Sequence, residues 1–405
     1  MEKLALFIFV LTYIGLAFGS IPGLLIDRSG IALIGASATI LFGILSPEEA
    51  IKYIDISTIL LLYGLMVISA QLRIGGFYTK ISLLIIRKIS SPGILLLNLM
   101  ATSAIMSAFL ANDIVCLAFT PVVAYSTLKG GLNPLPFLLG LAISSNIGSA
   151  ATIVGNPQNM LIGQFAKLDF LEFFIWCFPP SFISFWIAYL IILLLFSKKW
   201  FISVDFTVEQ TWNEFNKHHS LKGLIFVLIT VLFFFTPIPR EITATTSASL
   251  LMLSRYISTR RLLELVDWSL IIMFICLFII IGAISKYDFP NQMIYQMQKY
   301  GLDIGSNPFH LSLVSVILSN IFSNVPAVML IINMIPKGNI ENYYILAVSS
   351  TFAGNLLTIG SIANLIVIEQ SKIFDIKITF WDYARVGVIV TFTSIAVLLL
   401  WVFVS

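Results

Sequence analysis

The stretch SSNIGSAATIVGNPQN, at Ser144–Asn159, is an apolar segment that glycine, proline and asparagine interrupt near its middle. A second stretch, SSTFAGNLLTIGSIAN, lies 205 residues later at Ser349–Asn364 and shares two serines, a central glycine and a final asparagine. Pro157 has no amide proton and breaks a helix, and Gly155 allows the backbone to turn. Non-helical backbone at membrane depth survives only where protein or a water-filled cavity satisfies it. The two stretches therefore predict two broken helices around a site inside a membrane.

Composition indicates the same environment. Of 405 residues, 59% are hydrophobic and 11% are charged, and the mean hydropathy is +0.99. A soluble domain carries about 25% charged residues, and a net charge of +3 is too small to suggest nucleic acid as a partner. At about 20 apolar residues per crossing, we predict an all-α polytopic membrane protein with about ten transmembrane helices. The predicted crossings are 4–22, 30–46, 56–72, 134–165, 173–197, 221–239, 242–254, 268–285, 343–369 and 384–404.

Two further apolar segments, 93–128 and 306–336, contain polar residues near their middle, and we interpret them as re-entrant hairpins. If the N-terminus lies outside and each hairpin returns to the side it entered from, the 23 Lys and Arg divide into sixteen cytoplasmic and seven outside residues. The seven outside residues are Lys3, Lys52, Lys167, Arg240, Lys286, Lys299 and Lys337. The positive-inside rule favours this orientation.

The chain also contains an internal repeat. The sequences IDIS at Ile54–Ser57 and VDWS at Val266–Ser269 each open a long apolar helix, 212 residues apart. Asn112 and Asn324, in the two predicted hairpins, are separated by the same offset. Since an odd number of crossings separates the two halves, we predict that they point in opposite directions. Inverted repeats with interrupted helices in matching positions are typical of transporters with a binding site near the bilayer midplane.

The repeat defines the predicted domains. The first inverted repeat is 1–200, with its hairpin at about 93–128 and its broken helix at about 134–165. A cytoplasmic linker at 201–222 follows. The second inverted repeat is 223–405, with its hairpin at about 306–336 and its broken helix at about 343–369.

Asp113 is the only acid within the first hairpin, where the sequence reads SAFLAND at Ser107–Asp113. A carboxylate inside a membrane is costly and marks a functional site by default. We expect it to couple transport to a proton or a sodium ion, with a sodium site near Asn112, Asp113 and Asn156. The alternative is that Asp113 only caps the second helix of the hairpin.

The broken helices offer both kinds of ligand. Freed carbonyls can hold a cation, and new helix N-termini present amide protons to an anion. Close helix packing is the alternative use of their small residues. No Lys or Arg falls in the hairpins or broken helices, which favours a neutral or singly charged substrate. The candidate binding residues are Asn112, Asp113, Ser145, Asn146, Gly148, Thr152, Gly155, Asn156, Pro157, Asn159, Ser323, Asn324, Pro326, Thr351, Gly354, Asn355, Thr358, Gly360, Ser361 and Asn364.

Several of these residues stand in longer motifs. The motifs are Ala111-Asn112-Asp113 with Thr120-Pro121, Gly155-Asn156-Pro157-Gln158-Asn159, Ser323-Asn324-Val325-Pro326-Ala327-Val328, Ala353-Gly354-Asn355-Leu356 and Ile359-Gly360-Ser361-Ile362-Ala363-Asn364. With them the chain resembles the ion transporter superfamily, in particular its arsenite permease (ArsB-like) branch and the related YbiR-like anion permeases. The resemblance implies a scaffold part, a transport part, and substrate and coupling-ion sites at the hairpin tips and broken-helix loops.

We therefore expect a secondary transporter of a small anion or oxyacid in the plasma membrane, driven by a proton or sodium gradient through alternating access. A sodium–proton antiporter and a citrate or dicarboxylate symporter are the alternatives, although the dicarboxylate branch carries Ser-Asn-Thr at both hairpin tips and this chain does not. An enzyme is disfavoured because neither HExxH nor GxSxG occurs. Beyond the coupling ion, the expected partners are the substrate, the lipid bilayer and a second copy in a homodimer, with no cofactor or resident metal.

Overall fold

The computed structural model describes residues 1–19, 23–87, 91–201, 215–336 and 338–405. These residues form twenty α-helices and one short 3-10 turn, so the predicted all-α class is confirmed. Most of the predicted linker, residues 202–214, lies outside the described residues. The helices up to residue 200 are α1 (Glu2–Phe18), α2 (Arg28–Leu41), α3 (Pro47–Tyr53), α4 (Ile56–Ile74), α5 (Phe77–Arg87), α6 (Pro92–Phe109), α7 (Asn112–Lys129), α8 (Pro134–Ser149), α9 (Pro157–Phe165) and α10 (Phe170–Phe196).

The second half of the chain contains ten more helices. They are α11 (Lys217–Phe233), α12 (Arg240–Met252), α13 (Thr259–Leu263), α14 (Trp268–Ser285), α15 (Phe289–Lys299), α16 (Pro308–Phe322), α17 (Asn324–Ile331), α18 (Ile340–Ala353), α19 (Ile362–Lys372) and α20 (Phe380–Val404), with the 3-10 turn Thr358–Gly360 before α19. Both predicted broken helices are interrupted where expected, between α8 and α9 and between α18 and α19. Both predicted hairpins are pairs of helices that pack against each other, α6 with α7 and α16 with α17.

Five of the described helices are long and apolar enough to cross a membrane. They are Ile56–Ile74, Pro92–Phe109, Phe170–Phe196, Trp268–Ser285 and Phe380–Val404. The other predicted crossings coincide with helices that are shorter or broken. The first arm of the first hairpin, α6, is among the five, so it is as long as a crossing helix, and its return inside the membrane stays a prediction.

The repeated tetrapeptides IDIS and VDWS prove to be helix starts. Asp55 Oδ1 accepts a hydrogen bond from Thr58 N at 3.0 Å, and Asp267 Oδ1 accepts one from Leu270 N at 3.0 Å. An aspartate in this position satisfies an amide that has no partner inside its own helix. The carboxylates therefore fix the first residues of α4 and α14.

Sixteen of the twenty described α-helices form two groups. The framework helices are α1, α2, α4, α11, α12 and α14, in which α4 packs against α11 and α12, and α2 packs against α1 and α14. The site helices are α6 to α10 and α16 to α20, which contain both hairpins and both broken helices. Gly64 allows the backbones of α4 and α12 to approach closely, since a Cβ there would lie 2.6 Å from the carbonyl carbon of Ala244.

The two long framework helices α4 and α14 run in opposite directions. Arg73, near the end of α4, lines the same cavity as Leu270, near the start of α14. Asp55, before the start of α4, lines a different cavity with Ser285, at the end of α14. The predicted inverted repeat requires this arrangement, while the division of the chain into two repeats stays a prediction.

Candidate substrate and ion site

Four helix N-termini meet in the middle of the protein. They are the starts of α7, α9, α17 and α19, which surround a small cavity of about 10 Å³, the central site. This volume holds about one water molecule. The central site is lined by Asn112, Asp113, Pro157, Gln158, Ser323, Asn324, Val325, Ser361 and Ile362. Each helix N-terminus contributes unsatisfied amides and a partial positive charge.

Three of these four N-termini have no side chain that caps them. Ala111, Ser323 and Ser361 occupy the cap positions of α7, α17 and α19 without a side-chain hydrogen bond to the helix. At α9, by contrast, Asn156 Oδ1 accepts from Asn159 N at 2.9 Å. The central site is therefore surrounded by amides that can interact with an electron-rich ligand.

Asp113 is the one ionisable side chain in the central site. Among the described residues it takes part in no ion pair and no side-chain hydrogen bond. The alternative interpretation, in which Asp113 only caps α7, therefore finds no support in the contacts of its carboxylate. A carboxylate held this way in a membrane interior is expected to act on a proton, a cation or the substrate.

Asn146 joins the two halves of the site. Its Oδ1 accepts from Asn112 Nδ2 at 3.0 Å and from Ser361 Oγ at 3.0 Å. Its Nδ2 donates to Asn355 Oδ1 at 3.0 Å and to Asn364 Oδ1 at 3.1 Å. All four positions on this amide are occupied by protein. In this structure Asn146 therefore connects the first hairpin to the second broken helix instead of facing the central site.

Thr351 has the reciprocal role. Thr351 Oγ1 accepts from Asn156 Nδ2 at 3.2 Å, at the end of the loop of the first broken helix, and from Gln158 Nε2 at 3.3 Å, in the first turn of α9. Thr351 lies 205 residues after Asn146, which is the repeat offset. Each broken helix therefore holds the loop of the other.

The final asparagine of each broken-helix motif donates hydrogen bonds to the irregular backbone where the helix is interrupted. Asn159 Nδ2 donates to Ser149 O at 3.3 Å and to Thr152 O at 3.0 Å. Asn364 Nδ2 donates to two carbonyls at the same offset of 205, Gly354 O at 2.6 Å and Leu357 O at 3.3 Å. These bonds replace helical ones that the break removes, so they stabilise the irregular backbone.

Some buried amide atoms have no partner in the part of the chain that the structure describes. Asn112 Oδ1 and Asn324 Oδ1 are unpaired acceptors in residues that line the central site, and Asn355 Nδ2 is an unpaired donor nearby. Leaving such an atom unpaired costs about 1–3 kcal/mol. The two oxygens are therefore candidate ligands for a cation or for a hydroxyl group of a substrate.

The second hairpin turns through a strained residue. Ser323 has φ 74° and ψ 160°, in a region that residues with a side chain rarely adopt. The matching tip of the first hairpin, Ala111, has ordinary angles, φ −50° and ψ 128°. Strain of this kind costs about 1–3 kcal/mol and concentrates at ligand sites and switches.

The structure sorts the predicted binding residues into two sets. Six line the central site, namely Asn112, Asp113, Pro157, Ser323, Asn324 and Ser361. Those that do not line it are Ser145, Asn146, Gly148, Thr152, Gly155, Asn156, Asn159, Pro326, Thr351, Gly354, Asn355, Thr358, Gly360 and Asn364. Their role in binding stays a prediction, although several make contacts within the protein.

Four residues of the second set contact other parts of the chain instead. Ser145 Oγ donates to Ala142 O at 3.2 Å, Thr152 Oγ1 donates to Ala108 O, and Pro326 O accepts from Tyr13 OH at 3.1 Å. Gly148 packs so closely on α6 that a Cβ there would overlap the backbone of Ala104. Gln158, which stands in the motif Gly155–Asn159, also lines the central site.

The suggested sodium site is brought together only in part. Asn112 and Asp113 line the central site, whereas the Asn156 side chain caps α9 and donates to Ser149 Oγ at 2.9 Å. The described residues contain no group of three or more His, Cys, Asp or Glu placed to hold a metal ion. A sodium site here would therefore depend on amide, hydroxyl and backbone oxygens around Asp113.

Two larger cavities lie at opposite ends of α4, and one of them shares Asp113 and Pro157 with the central site. The inner cavity, about 260 Å³, extends from Arg73, Glu264 and Asp267 to Asp113 and Pro157. The outer cavity, about 250 Å³, extends from Lys52 and Asp55 to Leu161 and Met329 and shares no lining residue with the central site. By the predicted orientation the inner cavity opens to the cytoplasm. An inward-facing state stays a prediction, because it depends on that orientation.

The two cavities have matching walls. Seven lining positions of one are 212 residues from a lining position of the other: Lys52 and Glu264, Tyr53 and Leu265, Asp55 and Asp267, Met66 and Phe278, Ala70 and Gly282, Arg73 and Ser285, and Leu117 and Met329. The inner cavity holds three acids and one cation, Asp113, Glu264, Asp267 and Arg73. Glu264 forms an ion pair with Arg260 at 2.9 Å, which leaves two acids and one arginine along this path.

Comparisons with known proteins bear on this arrangement. A family model described as Citrate transporter (CitMHS) matches residues 5–343. The chain belongs to the CitMHS family. The protein is therefore a multi-pass membrane transporter and not an enzyme, as the sequence predicted, and the resemblance to the ion transporter superfamily with its ArsB-like and YbiR-like branches is confirmed.

Relatives of this CitMHS protein span nearly the same length. A silicon efflux transporter of Oryza sativa subsp. japonica is 26% identical over 91% of this chain and 91% of its own. The inner membrane protein YbiR of Escherichia coli (strain K12) is 26% identical over 81% of this chain and 83% of its own. The crystal structure of the Alcanivorax borkumensis YdaH transporter matches with a TM-score of 0.56 at 10% identity, over 100% of this chain and 98% of that one. That likeness shows the fold alone.

Proposed function

We propose that this CitMHS protein is a secondary transporter of a small oxyacid in its neutral or singly charged form, coupled to a proton or a sodium ion through Asp113. The observation that carries the proposal is the position of Asp113. Its carboxylate lies where the central site meets the inner cavity, and no described cation forms an ion pair with it. A proton or a cation would complete this site.

The charge around the path supports a substrate of low charge. The central site contains no Lys or Arg, and the inner cavity holds Asp113 and Asp267, which form no ion pair among the described residues, with one arginine. A multiply charged anion next to Asp113 would be repelled unless a cation lay between them. A small oxyacid can instead donate its hydroxyl protons to the unpaired oxygens of Asn112 and Asn324. Helix N-termini would interact with its remaining oxygens.

The names of the similar proteins suggest two substrate classes, an oxyacid and citrate. The rice relative is named a silicon efflux transporter, which favours an oxyacid, while the family model is described as a citrate transporter. Citrate carries up to three carboxylates, for which the site offers no cationic partner.

A substrate screen in proteoliposomes tests the proposal. Arsenite, silicate, citrate, sulfate and sodium are offered separately under an imposed proton or sodium gradient, with wild type, Asp113→Asn and Asp375→Asn. Asp375 is an exposed acid in a turn and provides the matched control. We expect gradient-driven movement of arsenite or silicate by wild type and Asp375→Asn, and loss of that movement in Asp113→Asn. Transport of citrate alone, or sodium-driven proton movement without any oxyacid, would overturn the proposal in favour of a symporter or an antiporter.

A further inference from the structure

An arginine of the framework holds the end of a site helix at the outer side. Arg240, the first residue of α12, donates from Nη1 to Leu168 O at 2.7 Å and from Nη2 to Gly163 O at 2.8 Å. These carbonyls lie at the C-terminal end of α9, where a helix has acceptors without intrahelical partners. A cation at this end also complements the helix dipole. Arg240 therefore fixes the second half of the first broken helix to the framework.

The next residue strengthens this contact. Glu241 accepts from Gln164 Nε2 of α9 at 3.0 Å and from Ser57 Oγ of α4 at 3.1 Å. We call Arg240 and Glu241, together with the α9 groups they bind, the outer clasp. Because it joins α12, α4 and α9, the outer clasp resists movement of α9 away from the framework.

The repeat places a second arginine at the inner side. At the offset of 212, Arg240 corresponds to Arg28, the first residue of α2, and Glu241 corresponds to Ser29. Ser29 Oγ donates to Ser269 O at 2.9 Å, and Ser269 is the counterpart of Ser57. The framework half of a clasp is therefore already assembled at the inner side.

The other half of that clasp is not engaged. Arg28 Nε is buried and has no hydrogen-bond partner among the described residues. At the offset of 205, Gly163, Gln164 and Leu168 correspond to Ile368, Glu369 and Ile373 at the end of α19. Glu369 forms an exposed ion pair with Lys372 at 2.6 Å. The inner cavity lies between α14 and α19, lined by Leu270 and Ile366.

We propose that Arg28 is a positioning residue that binds the C-terminal end of α19, at its last carbonyls and the Glu369 carboxylate, when the inner cavity closes, and that Arg240 releases α9 in the same step. The inference rests on the proposed function as an alternating-access transporter. An arginine and a carboxylate form strong, often bidentate hydrogen bonds. The two repeat-related arginines would then stabilise opposite states, each by holding one broken helix.

Thiol labelling tests this exchange without any substrate. Leu117→Cys lines the inner cavity and Met329→Cys lines the outer one at the matching position. The three native cysteines are buried, so their background is measured in the unmodified chain. We expect Arg240→Gln to slow labelling at position 117 and speed it at position 329 by severalfold. We expect Arg28→Gln and Glu369→Gln to have the opposite effect. Arg255→Gln, at an exposed inner-side arginine, is the control and should change neither rate.

A charge exchange tests the pair directly. Arg28→Glu and Glu369→Arg should each lower transport at least tenfold, and the double variant should recover much of it. Since Glu369 is exposed here, its variants are expected to fold even where Arg28 variants do not. Unchanged labelling in Arg240→Gln and Glu369→Gln, together with no recovery in the double variant, would overturn the inference. If labelling responds as expected while no oxyacid is transported, the proposed substrate is wrong. The proposed exchange between the two clasps is then still supported.

Discussion

Asn146 and Thr351 lie 205 residues apart and occupy the same place in the two broken helices, and each binds the loop of the other. This crossed arrangement makes the central site a joint product of both halves of the chain. Asn146 uses all four hydrogen-bonding positions of its amide, and all are buried.

Asn146→Leu should therefore destabilise the protein rather than only weaken binding. The substitution leaves partners on Asn112, Asn355 and Asn364 unpaired, at about 1–3 kcal/mol for each buried group. Thermal unfolding in detergent, with and without substrate, measures the loss. Thr351→Ser, which keeps the hydroxyl, is the control and should unfold close to wild type. A normal unfolding temperature for Asn146→Leu would show that this network contributes little.

Substituting glycine at the two hairpin tips should change the stability of the protein in opposite directions. Ser323→Gly removes a side chain from a residue with φ 74° and should stabilise the protein, because strain of about 1–3 kcal/mol is relieved. Ala111→Gly adds flexibility to a residue with ordinary angles and should destabilise it by about 0.5–1 kcal/mol. Comparing the two unfolding temperatures is the check. Destabilisation by both substitutions would mean that the tip of the second hairpin carries no relievable strain.

Substitutions of the two N-cap aspartates should distinguish the stability that comes from helix capping from the stability that comes from their charge. Asp55→Ala and Asp267→Ala remove the bonds to Thr58 N and Leu270 N and should each cost about 0.5–2 kcal/mol. Asp55→Asn and Asp267→Asn keep a good cap and should retain stability. If the asparagine variants unfold as early as the alanine variants, the carboxylates stabilise the protein through charge rather than through capping.

Gly148→Val should impair folding rather than binding. Gly148 was a candidate ligand, but it lies where α8 approaches α6, and a side chain would collide with the Ala104 backbone. We expect a lower yield of folded protein and a lower unfolding temperature, as for overpacked cores, with a cost of about 1–3 kcal/mol. Substrate affinity in the fraction that folds should stay near wild type. A stable variant with weakened substrate affinity would indicate that Gly148 contributes to binding.

Much of this architecture could be predicted because lipid penalises irregular backbone. Pro157 and Gly155 mark the first break, and Asn112 and Asn324 mark the hairpin tips, since each is costly in an apolar run unless it has a purpose. The hydrogen-bond partners could not be predicted in the same way. Nothing in the spacing distinguishes an asparagine that faces the site from one that braces backbone, as Asn159 does.

The outer clasp could not be predicted from the sequence for a related reason. Arg240 was one more outside cation in the charge count, and only the folded chain brings it to the carbonyls of Gly163 and Leu168. The same holds for the cavities, whose matching walls are built from residues far apart in the sequence. Side-chain partners of this kind depend on tertiary structure, which local pattern does not encode.

Coupling through Asp113 is most directly tested by comparing uphill accumulation with simple exchange in proteoliposomes. We predict that Asp113→Asn loses accumulation of the oxyacid against its gradient, under either a proton or a sodium gradient, while the variant remains folded. Accumulation by Asp113→Asn equal to that of wild type would contradict the assignment of this carboxylate to the coupling ion.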